Sequence, residues 1–278
     1  MTTEKQQKKI AVINDLSGYG RCSLTVVMPI VSALKIQCCP VPTSILSNHT
    51  GFPTYFFDDY TEKMPKYIEQ WKKLDLTFDG IYSGFLGSEA QIQIVIDMIK
   101  EFSAPETKVI IDPIMGDHGK VYQTYTPMMC SRMKELVGYG DIVTPNLTEA
   151  CILTGWEYHK EGWKRADLIR MASEIQQMGP EEVVITGVTE GSYVTNVVLE
   201  KDGTVHFLRS FRAGSERHGT GDVFSSIVAA QAVKGVPLKA GVKKAADFVK
   251  RCIIKSDELH IPKENGVCFE ELLSLLIR

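Results

Sequence analysis

Short apolar runs alternate along the chain with segments whose apolar positions recur every three to four residues. Residues 10–14 (IAVIN) predict a strand that ends in polar residues before a turn at Gly18 and Gly20. Residues 22–35 predict a helix with Leu24, Val27, Met28, Val31 and Leu34 on one face. Residues 39–46 read as a second strand, 62–73 as a charged helix and 80–83 as a short strand. Residues 88–102 predict an amphipathic helix with Ser88 as its N-cap. The alternation then repeats: strand 108–112, helix 126–137, strand 141–144, short helix 147–154, helix 166–178 and strand 182–186. Residues 193–199 and 204–209 flank Lys201-Asp202-Gly203, and an Asp-Gly turn between two β-rich runs predicts a hairpin. Helices are predicted for 221–234, 237–256 and 269–277.

Strands alternating with crossover helices imply a three-layer α/β/α fold, with a mostly parallel central sheet and a hairpin at one edge. No Pro/Gly/Ser-rich linker or repeat interrupts the 278 residues, so one domain is expected, with residues 1–9 as a flexible lead-in. Ligands of such sheets bind beyond the carboxyl ends of the strands. The polar residues there are Asn14-Asp15, Asn48-His49-Thr50, Gly84-Phe85, Asp112, Thr144-Pro145-Asn146 and Thr186.

Composition narrows the function class. A net charge of −3 and the lack of a basic stripe argue against a nucleic-acid partner. No apolar run approaches the ~20 residues of a membrane span, and the polar start MTTEKQQKK has no apolar signal core. Seven cysteines at irregular spacing, with no C-x-x-C, are expected to be reduced thiols, and the chain to be cytoplasmic.

The sharpest chemical signal is His218-Gly219-Thr220-Gly221-Asp222, which opens an apolar helix. Glycines at a helix N-terminus leave bare N–H groups that favour an anion. The segment could also be an ordinary capped turn with an acid in its first turn. Phosphoryl transfer to an alcohol, however, needs both a carboxylate base and donors for the transferred group, and this segment supplies both. No P-loop and no protein-kinase signature set is present. The second signal, Thr144-Pro145-Asn146-Leu147-Thr148-Glu149, reads as a capping box with Asn146 as N-cap. At a strand end the same oxygens could hold the hydration shell of Mg²⁺.

A strand-TPN-x-x-E segment followed by a GTGD-opened helix resembles the ribokinase-like superfamily over about residues 10–260. The resemblance implies Asp222 as catalytic base, Gly219, Thr220 and Gly221 as the anion hole, and Asn146 and Glu149 near the metal. It implies ATP as co-substrate with Mg²⁺, and leaves room for a monovalent cation such as K⁺. Ser47-Asn48-His49-Thr50-Gly51-Phe52 and Asp112-Pro113-Ile114-Met115-Gly116-Asp117 are similar to segments of the pyridoxal (vitamin B6) kinases. That similarity gives Thr50 a contact with the ring substituents of a B6 vitamer and places Asp112 near the ATP phosphates and cations. Asp117 would begin a flap, and Tyr122 matches a flap tyrosine. Phe85 stands where the family has a ring-stacking tyrosine. Thr144, Asn146 and Thr186 would lie on the nucleotide, with adenine near residues 205–215. Asp15, Ser17, Tyr19 and Ser44 complete the implied substrate site, and relatives of this branch imply a homodimer.

Two departures bear on specificity. Asn14-Asp15-Leu16-Ser17-Gly18-Tyr19-Gly20 is closer to the turn of hydroxymethylpyrimidine kinases, a sister branch, so Asp15 could accept from a ring hydroxyl or N–H or attract a cationic aminomethyl group. His218 stands where some relatives carry a cysteine that attacks the pyridoxal aldehyde, which leaves the simpler aspartate route. His49 reads as a turn histidine bonding backbone, and His218 as a loop residue or a partner of Asp222. The expected activity is phosphorylation of the 5′-hydroxymethyl group of a B6 vitamer. The competing readings are a hydroxymethylpyrimidine kinase of thiamin synthesis, a sugar kinase and a non-catalytic B6-binding protein.

Overall fold

The computed structural model describes residues 7–277. A nine-stranded sheet in the order β11-β10-β9-β8-β5-β4-β1-β2-β3 forms its middle layer. The parallel strands are β1 (Lys9–Tyr19), β2 (Gln37–Asn48), β4 (Gly80–Ser83), β5 (Lys108–Ile111), β8 (Ile142–Val143) and β9 (Glu182–Glu190). The predicted hairpin is β10 (Tyr193–Leu199) and β11 (Val205–Phe211), antiparallel to each other and to β9 at one edge. At the other edge β3 (Phe57–Asp59) pairs antiparallel with β2.

Side chains alternate across the strands and so feed two cores. Ala11 and Ile13 join the layer built by α2 (Met64–Lys73), α3 (Glu89–Phe102), α4 (Pro127–Val137), α5 (Leu147–Thr154) and α6 (Arg165–Gln176). Ile10 and Val12 face α1 (Ser23–Ala33), α7 (Thr220–Val233) and α8 (Leu238–Glu258). Ser88 caps α3, its side chain accepting from the Gln91 amide. Helix α7 is buried almost all round, as expected of a helix apolar on every face. Its N-terminus is therefore held firmly at the sheet's carboxyl edge. Among the described residues no helix is long and apolar enough to cross a membrane, and all seven cysteines are free thiols.

Several expectations are corrected. The lead-in is shorter than residues 1–9: residues 1–6 lie outside the described residues, but Lys9 already pairs with Gln37 and donates its amide to Asp79 at 2.8 Å. β1 does not end at residue 14 but continues to Tyr19, so Asn14, Asp15 and Ser17 are strand residues. The continuation needs a bulge, in which Asn14 to Leu16 of β1 opposes Pro42 to Ile45 of β2, an extra residue that no apolar pattern marks. β9 runs four residues past Thr186, drawn on by pairing with β10. Strand β3 and a small hairpin, β6 (Gly116–Asp117) and β7 (Lys120–Val121), lie in stretches where no strand is predicted. The last helix is instead a 3₁₀ segment, Glu270–Leu275, whose leucines at 272/275 and 273/276 repeat at the three-residue spacing that such a helix stacks.

Candidate active site

The strand ends and the start of α7 bring the predicted residues into three neighbouring groups. The first surrounds Asp222. Gly219 is the N-cap of α7 with φ of +78°, and a Cβ there would sit 1.9 Å from the Arg21 carbonyl oxygen. Only glycine fits, on grounds of both conformation and space. A Cβ on Gly221 would meet nothing within 4 Å, so the backbone there faces open space. The Thr220 hydroxyl donates to the Arg217 carbonyl at 3.2 Å, closing the loop before the helix. Asp222 follows in the first turn, partly exposed, and burial pushes its carboxyl up to about 6. The negative charge of Asp15 adds to that rise, while the Ser23 amide and the Asn14 side chain oppose it.

Asn14 is the residue that the motif reading passed over. It is fully buried, its Nδ2 donates to Asp222 Oδ1 at 3.4 Å, and its Oδ1 accepts from the Asp15 and Phe85 amides, both at 3.0 Å. Gly84 makes room for it, since a Cβ there would lie 2.6 Å from Asn14 Nδ2. A polar side chain at the end of an apolar strand was the available signal. Asn14 thus fixes Asp222 and the chain around Phe85 to one another.

Asp15 and Ser17 are buried beside this group. Ser17 donates to Asp15 Oδ2 at 2.9 Å and Ser23 to Oδ1, leaving the carboxylate oriented but held above its ordinary range by burial. Cys22 lies close enough to feel Asp222 and Asp15, and burial followed by those charges raises its thiol to about 12. A thiol so held is protonated and is no nucleophile.

The second group lies one strand over. Asp112 is buried with Tyr82 Oη at 3.5 Å, beside Thr144 and Ser225, whose hydroxyls are 3.2 Å apart. Asn146 and Glu149 form the expected capping box at the start of α5. Both Glu149 oxygens are engaged, Oε2 by the Asn146 amide at 2.8 Å and Oε1 by the Met115 amide at 3.1 Å. Burial raises the carboxyls of both Asp112 and Glu149, and Asp112 adds to the rise at Glu149. Two buried acids that repel each other suit a cation. Both Glu149 oxygens already accept backbone amides, whereas neither Asp112 oxygen accepts one among the described residues. Among the described residues no three His, Cys, Asp or Glu side chains cluster as a ready-made metal cage. Thr186 is close by, its amide donating to the Pro145 carbonyl at 2.8 Å.

The third group is the rim. The flap hairpin turns at His118 and Gly119, both with positive φ as a two-residue hairpin turn requires. Its tip is fastened by the Gly119 amide on Thr148 at 2.9 Å and by His118 to Glu216 at 3.2 Å. Tyr122 on the flap, Tyr19 at the end of β1 and Thr50 in the turn after β2 are exposed, whereas Phe85 is half-buried and Ser44 fully buried. His49 behaves as a turn histidine: Nδ1 accepts from the Gly51 amide at 3.1 Å and Nε2 lies 2.8 Å from the Glu264 carbonyl. His218 stacks on it at 4.4 Å. Its ring is thus packed on that of His49, and no hydrogen bond to Asp222 is formed among the described residues.

Comparison with known proteins places the chain among relatives. The model of the phosphomethylpyrimidine kinase family matches residues 30–268. A protein of Bacteroides thetaiotaomicron described as a phosphomethylpyrimidine kinase superposes with a TM-score of 0.96 at 35% identity, covering 100% of this chain and 96% of that one. A second crystal form of it, with pyridoxal, gives 0.94 at 36% identity over 98% and 96%. Pyridoxal kinase of Lactobacillus plantarum gives 0.90 at 26% identity over 98% and 97%. The thiamine biosynthetic bifunctional enzyme of Arabidopsis thaliana is 26% identical over 94% of this chain, which spans only 50% of that enzyme's length.

Proposed function

The chain belongs to the phosphomethylpyrimidine kinase family, within the ribokinase-like superfamily, and from that premise we propose that it transfers the γ-phosphoryl group of ATP to the 5′-hydroxymethyl group of the B6 vitamers. The observation that carries the reading is Asp222 at the N-terminus of α7, beside the open backbone of Gly221 and oriented by Asn14. A carboxylate raised to about 6 is ionised at neutral pH yet basic enough to take the proton of an attacking hydroxyl. The amides of residues 219–221 would hold charge on the transferred group in a site that needs no reorganisation. Mg²⁺ bound with ATP, held by Asp112 and through water by Glu149, would neutralise phosphate charge. The flap would exclude water from the closed site. A cytoplasmic homodimer is part of the same reading.

A second reading is supported about as well: a hydroxymethylpyrimidine or phosphomethylpyrimidine kinase of thiamin synthesis. The family model, the Arabidopsis relative and the Asn14–Gly20 segment favour it. The Ser47–Phe52 segment and the pyridoxal-containing crystal form of a 36% identical protein favour the B6 vitamers. The two readings differ in the ring and, for a phosphomethylpyrimidine kinase, in the acceptor, which is then a phosphate ester rather than a hydroxyl. ADP release from Mg·ATP, with pyridoxal, pyridoxamine, pyridoxine and hydroxymethylpyrimidine offered separately, tests them. Turnover on the vitamers carries the first reading, and turnover on the pyrimidine alone replaces it with the second. Silence on all four rings, and on hydroxymethylpyrimidine phosphate offered as a fifth acceptor, sinks both.

A further inference from the structure

Four buried side-chain polar atoms lack a hydrogen-bond partner among the described residues: Ser44 Oγ, Ser83 Oγ, Tyr125 Oη and Arg217 Nε. Tyr125 packs against Phe85 and Ser83 precedes Gly84-Phe85, whereas the Arg217 guanidinium is turned to Asp257 and to the carbonyls of Ile261 and Pro262. Ser44 and Ser83 lie at the carboxyl halves of β2 and β4, Tyr125 follows the flap, and Arg217 is two residues before Gly219. An orphaned buried polar group is costly, so orphans gathered around one place point to a ligand that satisfies them when bound.

Tyr125 is the most informative of the four. It is 7% exposed, and its amide donates to the Tyr122 carbonyl at 2.9 Å, which pins it to the base of the flap. Its ring meets Phe85 edge-to-face, with centroids 6.4 Å apart at 63°. Burial, then the charge of Glu149 and more weakly of Asp112, keeps the phenol protonated, while the nearby Leu86 amide pulls the other way. The hydroxyl is therefore a donor within the field of the site's carboxylates, with no acceptor of its own. Phe85 offers a flat apolar face and no polar atom, so a heterocycle lying on it would need its polar substituents read by neighbours.

We propose that Tyr125 is a specificity-determining residue whose hydroxyl donates a hydrogen bond to an acceptor on the ring, a ring nitrogen or a phenolic oxygen, of the heterocycle that packs against Phe85. The assignment rests on the kinase reading of the site. It accounts for both the orphaned donor and the missing hydroxyl at position 85, and it marks the substrate as an aromatic ring with an acceptor at its edge rather than a sugar.

Tyr125→Phe removes only the hydroxyl and keeps the ring on Phe85. With the ring alcohol that the wild-type protein turns over best, KM should rise about 3- to 10-fold, the range of one neutral hydrogen bond. kcat should stay within about twofold, since the contact is equal in ground and transition states. The melting temperature should change by no more than about 2 °C, because the hydroxyl donates to nothing in the free protein and only the nearby Leu86 amide faces its oxygen. A KM unchanged within twofold overturns the proposal, as does a fall in kcat at constant KM. A lower melting temperature with unchanged KM would make Tyr125 a structural residue only. If the wild-type protein phosphorylates no ring alcohol, the kinase reading fails first and this assignment fails with it.

Discussion

Replacing Asp222 by Asn should abolish turnover while making the protein more stable, and the second effect should depend on pH in a fixed direction. Burial raises the Asp222 carboxyl from 3.8 to about 6. The folded protein thus binds this proton more readily than the unfolded chain does. Its contribution to stability is fully present below about pH 4 and is lost as pH rises through about 6. Above that, the ionised carboxylate costs at most about 3 kcal/mol, which partial exposure to solvent reduces to roughly 1–2 kcal/mol. Asn keeps the oxygen that accepts from Asn14 Nδ2 and removes the charge. At about pH 7.5 the variant should melt roughly 2–4 °C above the wild type, from the entropy of unfolding of a chain this long, and the gap should close near pH 4. The same substitution removes the base, so kcat/KM should fall by about 10²–10⁴. Wild-type kcat/KM should carry an acid limb near pH 6 that reports this group in the free protein. Scanning calorimetry across pH and the ADP-release assay read the two effects. Turnover within tenfold of wild type would refute the base assignment. A melting difference that is negative, or flat with pH, would refute the buried-charge argument even if activity were lost.

Gly219→Ala should unfold the phosphate-facing loop locally, because its Cβ would overlap the Arg21 carbonyl and its φ is +78°. Loss of at least about 1–2 kcal/mol from the left-handed backbone alone, and near-complete loss of activity, are expected by melting and turnover. Glu149→Ala leaves the Asn146 and Met115 amides without acceptors. At about 1–3 kcal/mol each, partly offset by removing a buried charge, the melting temperature should drop by roughly 3 °C with or without Mg²⁺, and the Mg²⁺ concentration for half-maximal rate should rise. Asn14→Ala frees Asp222 and orphans the Asp15 and Phe85 amides. It should lower kcat by about 10-fold or more through misalignment and lower the melting temperature as well.

The pattern of the chain discloses what depends on neighbours in sequence and conceals what depends on neighbours in space. Helix α5 falls at residues 147–154 as read, because Asn146, Glu149 and the αL glycine Gly155 signal both its ends locally. The glycines around Thr220 are legible for the same reason, since a bare helix N-terminus is a local event. Residues 15–19 are different. They contain Asp15, Ser17 and Gly18, with Gly20 just beyond, and read as a turn, yet pairing with β2 through a bulge keeps them extended. A bulge is decided by the partner strand. Asn14 is hidden likewise: its worth comes from Phe85, 71 residues away, and Asp222, 208 residues away, joined through a gap that only Gly84 leaves open. The carboxylates show the limit most sharply. Asp15, Asp112, Glu149 and Asp222 are scattered through more than two hundred residues, and nothing in their spacing says that burial lifts the affinity of all four for protons. That shared elevation follows from the sheet gathering its strand ends at one edge. Buried acids gathered in this way are stabilised by any cation that binds the folded chain among them.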